Sequence, residues 1–164
     1  MFLFVYGTLR KGFAGEMAHK LASESEWIGK ALLEKAQLYR VHCNTFAFDY
    51  PALVLLDNNA HEECDKFVVV GDLVRLTNAE QSIVWLDEYE ECGAQFKQPN
   101  EYVKKEVTVK LLRDEDSNEN VQNCVATTYV FGWPIKDSNG NFVAPVRELV
   151  VGGDWLLMHE NRNK

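Results

Sequence analysis

Cationic side chains are scarce in this chain of 164 residues: 17 lysines and arginines stand against 25 acidic residues, a formal net charge of −8. A surface of that sign repels nucleic-acid phosphates and anionic membrane surfaces, so no nucleic acid and no membrane is expected as a partner, and the ligand should be small, or neutral to cationic. Long apolar runs are missing too. No stretch approaches the roughly 20 apolar residues that cross a bilayer, and residues 1–9 lack the basic start and small-residue cleavage site of a leader, which points to the cytoplasm. The four cysteines, Cys43, Cys64, Cys92 and Cys124, are widely spaced with no C-x-x-C, which argues for reduced thiols and against a disulfide framework or a zinc set. Phosphate loops and dinucleotide fingerprints are absent, because Gly7 to Gly12 lacks the required spacing. Histidines are few and scattered (His19, His42, His61, His159), and only His61 and Cys64 could be offered to a metal together, with no second pair at ligand spacing. No metal and no cofactor is therefore expected. Cys92 near Glu90 has no histidine paired with it locally, as an activated thiol would need.

What is present fits one compact domain over residues 1–157 followed by a polar tail over 158–164, with 46% hydrophobic content supplying the core. The chain opens on Phe2-Leu3-Phe4-Val5-Tyr6-Gly7-Thr8-Leu9-Arg10. Its unbroken apolar run suits a strand covered on both faces, ending at a glycine that can take backbone angles closed to other residues. The loop from Gly7 to Gly12 could then converge several N–H groups into a small receptor for an anion or a carbonyl. The plainer reading of the same residues is a core strand and a turn.

Further along, Ala14 to Ala22 has the period of a short amphipathic helix, ended by the polar stretch Ser23 to Glu26. Ala31 to Val41 favours helix on propensity, but a strand ending in Leu38-Tyr39 is preferred on the resemblance given below. Phe46 to Leu56 reads as a strand that Pro51 confines to an edge, bulge or loop, followed by a turn at Asp57-Asn58-Asn59. Phe67 to Leu76 reads as a buried strand, and Thr77 with Glu80 has capping-box spacing for a helix running to about Glu90. On that helix Ile83, Leu86 and Glu90 share one face, which sets the Glu90 carboxylate at the end of the core-facing stripe. Partial burial and the negative helix end both disfavour its charge and raise its pKa, which makes Glu90 the best general base in the chain. The bland alternative is a solvated acidic helix end made of Asp87, Glu88, Glu90 and Glu91. Tyr102 to Leu112 alternates as a half-exposed strand, Arg113 to Gln122 follows as a polar loop, and Cys124 to Gly132 is another strand. Ser138-Asn139-Gly140-Asn141 marks a tight turn.

Val5-Tyr6-Gly7-Thr8-Leu9-Arg10 resembles the N-terminal signature of the gamma-glutamylcyclotransferase-like (AIG2-like) family. Tyr50-Pro51-Ala52-Leu53, Gly71-Asp72-Leu73, Leu86-Asp87-Glu88-Tyr89-Glu90, Ala126-Thr127-Thr128-Tyr129-Val130 and Gly153-Asp154-Trp155 resemble later family segments in the same order. The resemblance implies an α+β fold, a small mixed β-barrel with a few short helices. It also implies a cyclotransferase that converts a γ-glutamyl amide to 5-oxoproline and a free amine, with Glu90 as general acid/base and no cofactor. The loop residues Tyr6, Gly7, Thr8 and Leu9 would then bind substrate, with Tyr102 and Tyr129 as pocket residues. Two departures stand out: Glu91 sits where a glycine commonly follows the glutamate, and Val103-Lys104-Lys105 replaces a more usual arginine. A second class of function therefore stays open, a non-catalytic binding module for a γ-glutamyl or other small carboxylate metabolite. The amine half of the substrate and the oligomeric state are left open.

Overall fold

The structure is a computed structural model and describes residues 1–43, 48–56, 66–112, 122–143 and 145–162. Its elements in chain order are β1 (Phe2–Val5), α1 (Glu16–Glu24), β2 (Ser25–Glu34), β3 (Ala36–Cys43), β4 (Phe48–Leu55), β5 (Val68–Leu76), α2 (Ala79–Tyr89), β6 (Tyr102–Leu111), β7 (Gln122–Phe131), β8 (Val146–Leu149) and α3 (Trp155–Arg162). Five strands close a barrel in the order β1-β5-β2-β6-β7, and β4-β3-β8 form a second, three-stranded sheet. The barrel is mixed, because β1 runs antiparallel to β5 but parallel to β7. This is the α+β barrel with short helices that the sequence implied.

β1 shows why an unbroken apolar run belongs there. Phe4 points into one core cluster with Leu33, Val69, Leu73 and Val109, while Leu3 and Val5 face a second with Leu21, Val74 and Leu86. Both faces are covered, so the strand has no polar side to alternate with. Each such fully buried side chain contributes about 1.5–3 kcal/mol of transfer free energy.

Several boundaries differ from the sequence reading. The segment Ala31 to Val41 is two strands, not one, divided at Lys35, which takes a left-handed φ of 52°. The chain leaves the barrel there: β2 pairs with β5, and β3 pairs with β4 in the other sheet. Helix propensity in Ala-Leu-Leu-Glu-Lys-Ala-Gln-Leu is overridden because the apolar positions pair across two sheets. α1 starts at Glu16 and runs on to Glu24, and Ser25 already begins β2. The cap of α2 is Asn78, whose Oδ1 accepts from the Gln81 N–H at 3.4 Å. Thr77 instead donates its N–H to the Glu24 carbonyl at 2.9 Å, tying the end of α1 to the start of α2. α3 crosses residue 157 and brings Met158 against the core.

Other expectations hold. β4 with Pro51 is an edge strand of the smaller sheet, and Asp137 organises the turn around Gly140, accepting the N–H groups of Asn139 and Asn141 at 2.9 Å each. The turn at Asp57-Asn58-Asn59, most of the loop before Gln122, and the His61 and Cys64 pair lie outside the described residues. No helix among the described residues is long and apolar enough to cross a membrane.

Candidate active site

One cavity of about 300 Å³ opens where β1 ends, and residues from five segments line it. Every site residue expected from the sequence is among them: Tyr6, Gly7, Thr8, Leu9, Glu90, Tyr102 and Tyr129.

The loop after β1 is held by a buried ion cluster. Arg10, 2% exposed, places Nη1 2.7 Å from Asp154 Oδ1 and Nε 3.5 Å from Asp72 Oδ2. Asp72 stands opposite Val5 in the β1–β5 ladder and also accepts the Lys11 N–H at 2.9 Å. Asp154 sits at the start of α3 and accepts the Leu156 N–H at 3.0 Å. Three separated sequence segments thereby converge on one guanidinium, which fixes the loop from behind. Inside the loop the Arg10 N–H closes a turn onto the Gly7 carbonyl at 3.1 Å. The N–H groups of Gly7, Thr8 and Leu9 bond no other described residue.

Gly7 is a glycine for a different reason from the one expected. Positive φ occurs in this loop at Gly12, at 97°, and not at Gly7. A Cβ on Gly7 would stand 2.3 Å from Cγ of Pro51, so the missing side chain is what lets β4 approach the loop. Tyr102 fastens the same place by donating its hydroxyl to the Pro51 carbonyl at 2.8 Å.

Glu90 arrives at the end of α2, carried there by Leu86, which is fully buried, and by partly buried Ile83. The helix closes in a Schellman pattern. Glu91 takes a left-handed φ of 50°, and its N–H bonds the Glu88 carbonyl at 3.3 Å while that of Cys92 bonds Asp87 at 2.8 Å. The position where the resemblance implies a glycine is thus a left-handed one, and this chain fills it with a glutamate. The Glu90 carboxyl has no hydrogen-bond or ion-pair partner among the described residues. Burial, then the negative charge of Glu101, push its pKa up to about 8.

Around it stand phenols held neutral. Tyr6 is raised by burial and next by the Glu90 charge; Tyr102 is raised by burial and then by Tyr6 and Glu90. The Tyr6 hydroxyl donates to the Tyr129 carbonyl at 2.7 Å, and that of Tyr129 donates to Asp87 at 2.7 Å, where Lys104 also binds. Tyr6 and Tyr102 have spent their protons on backbone carbonyls, and the Tyr6 oxygen also interacts with the Leu53 backbone, so the Tyr102 oxygen is the freer acceptor for a ligand. The lining thus combines loop residues whose N–H groups are unpaired among the described residues, a carboxyl and phenol oxygens.

The sequence reading missed Phe48, Tyr50, Pro51, Tyr89, Glu91 and Glu101 as lining residues. Tyr50 and Pro51 belonged to a recognised segment, and Tyr89 directly precedes Glu90. Glu101 carried no signal except its place before Tyr102. Its carboxylate is bound by the Tyr50 hydroxyl at 2.5 Å, a pairing 51 residues apart. Among the described residues no group of three or more metal-ligating side chains comes together.

The sequence model of the family described as Gamma-glutamyl cyclotransferase, AIG2-like matches residues 3–157. The chain belongs to that family. Among solved structures, this family member is similar in fold to YkqA from Bacillus subtilis, at 23% identity and a TM-score of 0.57. The match covers 99% of this chain and 42% of that one, so the present chain spans less than half of YkqA. An aig2-like protein (ggact) from Mus musculus matches at 20% identity and a TM-score of 0.55, over 91% of this chain and 86% of that one. PH0828 from Pyrococcus horikoshii matches at 16% identity and a TM-score of 0.55, over 99% and 96%. No curated protein sequence matches the chain.

Proposed function

We propose that the protein is a cyclotransferase converting a γ-glutamyl amide into 5-oxoproline and a free amine, with Glu90 as its general acid/base. The observation that supports the reading is that the unpartnered, half-buried Glu90 carboxyl and the loop residues Gly7 to Leu9, whose N–H groups bond no other described residue, line one cavity of about 300 Å³. The substrate supplies its own nucleophile, so the chain needs only a base and a cradle.

A γ-glutamyl amide enters with its α-amine protonated. Glu90, ionised, removes one proton, and the freed nitrogen attacks the side-chain carbonyl carbon to close a five-membered ring. The new C–N bond leaves negative charge on the carbonyl oxygen, which the loop amides stabilise. Collapse of this intermediate breaks the bond to the amine half: Glu90 gives its proton to the departing nitrogen, then takes the second proton from the ring nitrogen and passes it to the released amine, which leaves as an ammonium. A carboxyl with a pKa of about 8 suits both transfers, because it is close to that of an α-amine. The acceptor oxygen of Tyr102 orients the ammonium before it loses its proton. Fixing the substrate in a ring-forming conformation supplies several kcal/mol more, within the roughly 7–11 kcal/mol available to oriented intramolecular reactions.

Incubation with γ-glutamyl dipeptides, γ-glutamyl-ε-lysine and glutathione tests the reading. Release of 5-oxoproline from at least one, with kcat/KM rising through about pH 8 as Glu90 ionises, is the expected result. Binding of these compounds without release would instead make the protein a binding module.

A further inference from the structure

We propose that the mouth of the cavity selects a γ-glutamyl amide whose amine half carries its own positive charge, with Glu101 and Glu91 as the specificity-determining residues. The inference rests on the cyclotransferase reading and concerns the half of the substrate that leaves.

The leaving amine must pass the lining residues with access to solvent. These are Phe48 and Tyr89, which are 51% and 40% exposed, the exposed Glu91, and the half-buried Thr8, Tyr50, Glu90 and Glu101. Three of the seven are carboxyl groups, and with Glu90 assigned to the proton transfer, Glu91 and Glu101 are left for the amine half. No lysine, arginine or histidine lines the cavity among the described residues, and neither Glu91 nor Glu101 has an ion-pair partner there. Lys104, the cation beside α2, is engaged by Asp87 instead. Glu101 is held in place: the Tyr50 hydroxyl binds it at 2.5 Å, and Tyr50 packs on Phe48 with ring centroids 6.0 Å apart. A carboxylate fixed beside an aromatic wall matches a methylene chain ending in an ammonium group. Burial, and next the charge of Glu91, raise the pKa of Glu101 despite that hydrogen bond. An incoming cation relieves this strain, whereas an amine half ending in a carboxylate adds to it.

Three probes of equal chain length isolate the charge: γ-glutamyl-1,4-diaminobutane, γ-glutamyl-butylamine and γ-glutamyl-4-aminobutyrate, with cationic, neutral and anionic ends. The expected order of kcat/KM is cationic, neutral, anionic, with about tenfold per step at low salt and a decline with ionic strength for the cationic probe only. Glu101→Gln, which keeps an oxygen for Tyr50, should compress the order, and Glu91→Gln should do so to a lesser degree. Turnover of all three probes without that order, or an order that Glu101→Gln leaves unchanged, overturns the inference while the cyclotransferase reading stands. Absence of 5-oxoproline from every probe overturns the inference alone if a γ-glutamyl dipeptide or glutathione is still turned over, and overturns both readings if none of these compounds is.

Discussion

Replacing Glu90 by glutamine should make the protein more stable, and only above acidic pH. The carboxyl has a pKa of about 8 in the folded protein against an ordinary value of 4.5. Between those values the folded state keeps a proton that the unfolded chain has released, so stability is fully present below about pH 4.5 and falls as pH rises to about 8, by up to about 1.4 kcal/mol per unit. Summed to pH 7.5 the penalty is about 4 kcal/mol. Glu90 keeps some contact with solvent, and the glutamine amide must itself be accommodated, which leaves an expected gain of about 2–4 kcal/mol at that pH. In a domain of this size the gain corresponds to a rise in thermal midpoint of roughly 5–15 °C. Urea unfolding of both proteins from pH 5 to 8.5 measures it. The two curves should meet near pH 5 and separate steadily above it. A difference independent of pH, or a glutamine variant less stable at pH 8, would refute the claim that burial of this carboxyl raises its pKa.

Three further substitutions probe the frame around the site. Gly7→Ala should destabilise the fold by about 1–3 kcal/mol in chemical denaturation through its contact with Pro51, and should also weaken substrate binding because loop and β4 separate; normal affinity in a destabilised protein would mean that the loop does not hold substrate. Glu91→Gly should stabilise by about 1 kcal/mol, because glycine adopts the left-handed end of α2 without penalty; a loss of stability would show that Glu91 makes a compensating contact. Arg10→Met should cost about 3–5 kcal/mol by leaving Asp72 and Asp154 buried without their cation, and an unchanged urea midpoint would remove the ion cluster as the anchor of the loop.

The parts of this structure that the sequence disclosed are those set by local pattern. The run at Phe2 to Val5 announces a strand buried on both sides, Pro51 announces an edge, and the spacing of Ile83, Leu86 and Glu90 aims the carboxyl before any coordinates exist. What stayed hidden depends on pairing across distance. The bend at Lys35 has no glycine or asparagine to mark it, so two strands in different sheets read as one segment. Gly7 looked like a residue chosen for its φ, and only the approach of Pro51 from a separate sheet shows that space is the reason. Glu101 was illegible because its meaning comes from Tyr50 and Glu90, neither of them near in sequence. The cap at Asn78 was missed for a smaller reason: Thr77 offered an equally good pattern one residue early.

The central claim is that Glu90, and not another acidic residue at the end of α2, moves the proton. Single-turnover release of 5-oxoproline from the best γ-glutamyl amide, compared among the wild type, Glu90→Gln, Asp87→Asn and Glu88→Gln, tests it most directly. Glu90→Gln should lose at least about a hundredfold in rate while remaining folded, the scale of a removed acid/base group. Asp87→Asn and Glu88→Gln should stay within about tenfold of wild type, since Asp87 is occupied by Tyr129 and Lys104 and Glu88 is exposed on the helix. An active Glu90→Gln protein beside an inactive Asp87→Asn or Glu88→Gln would contradict the account.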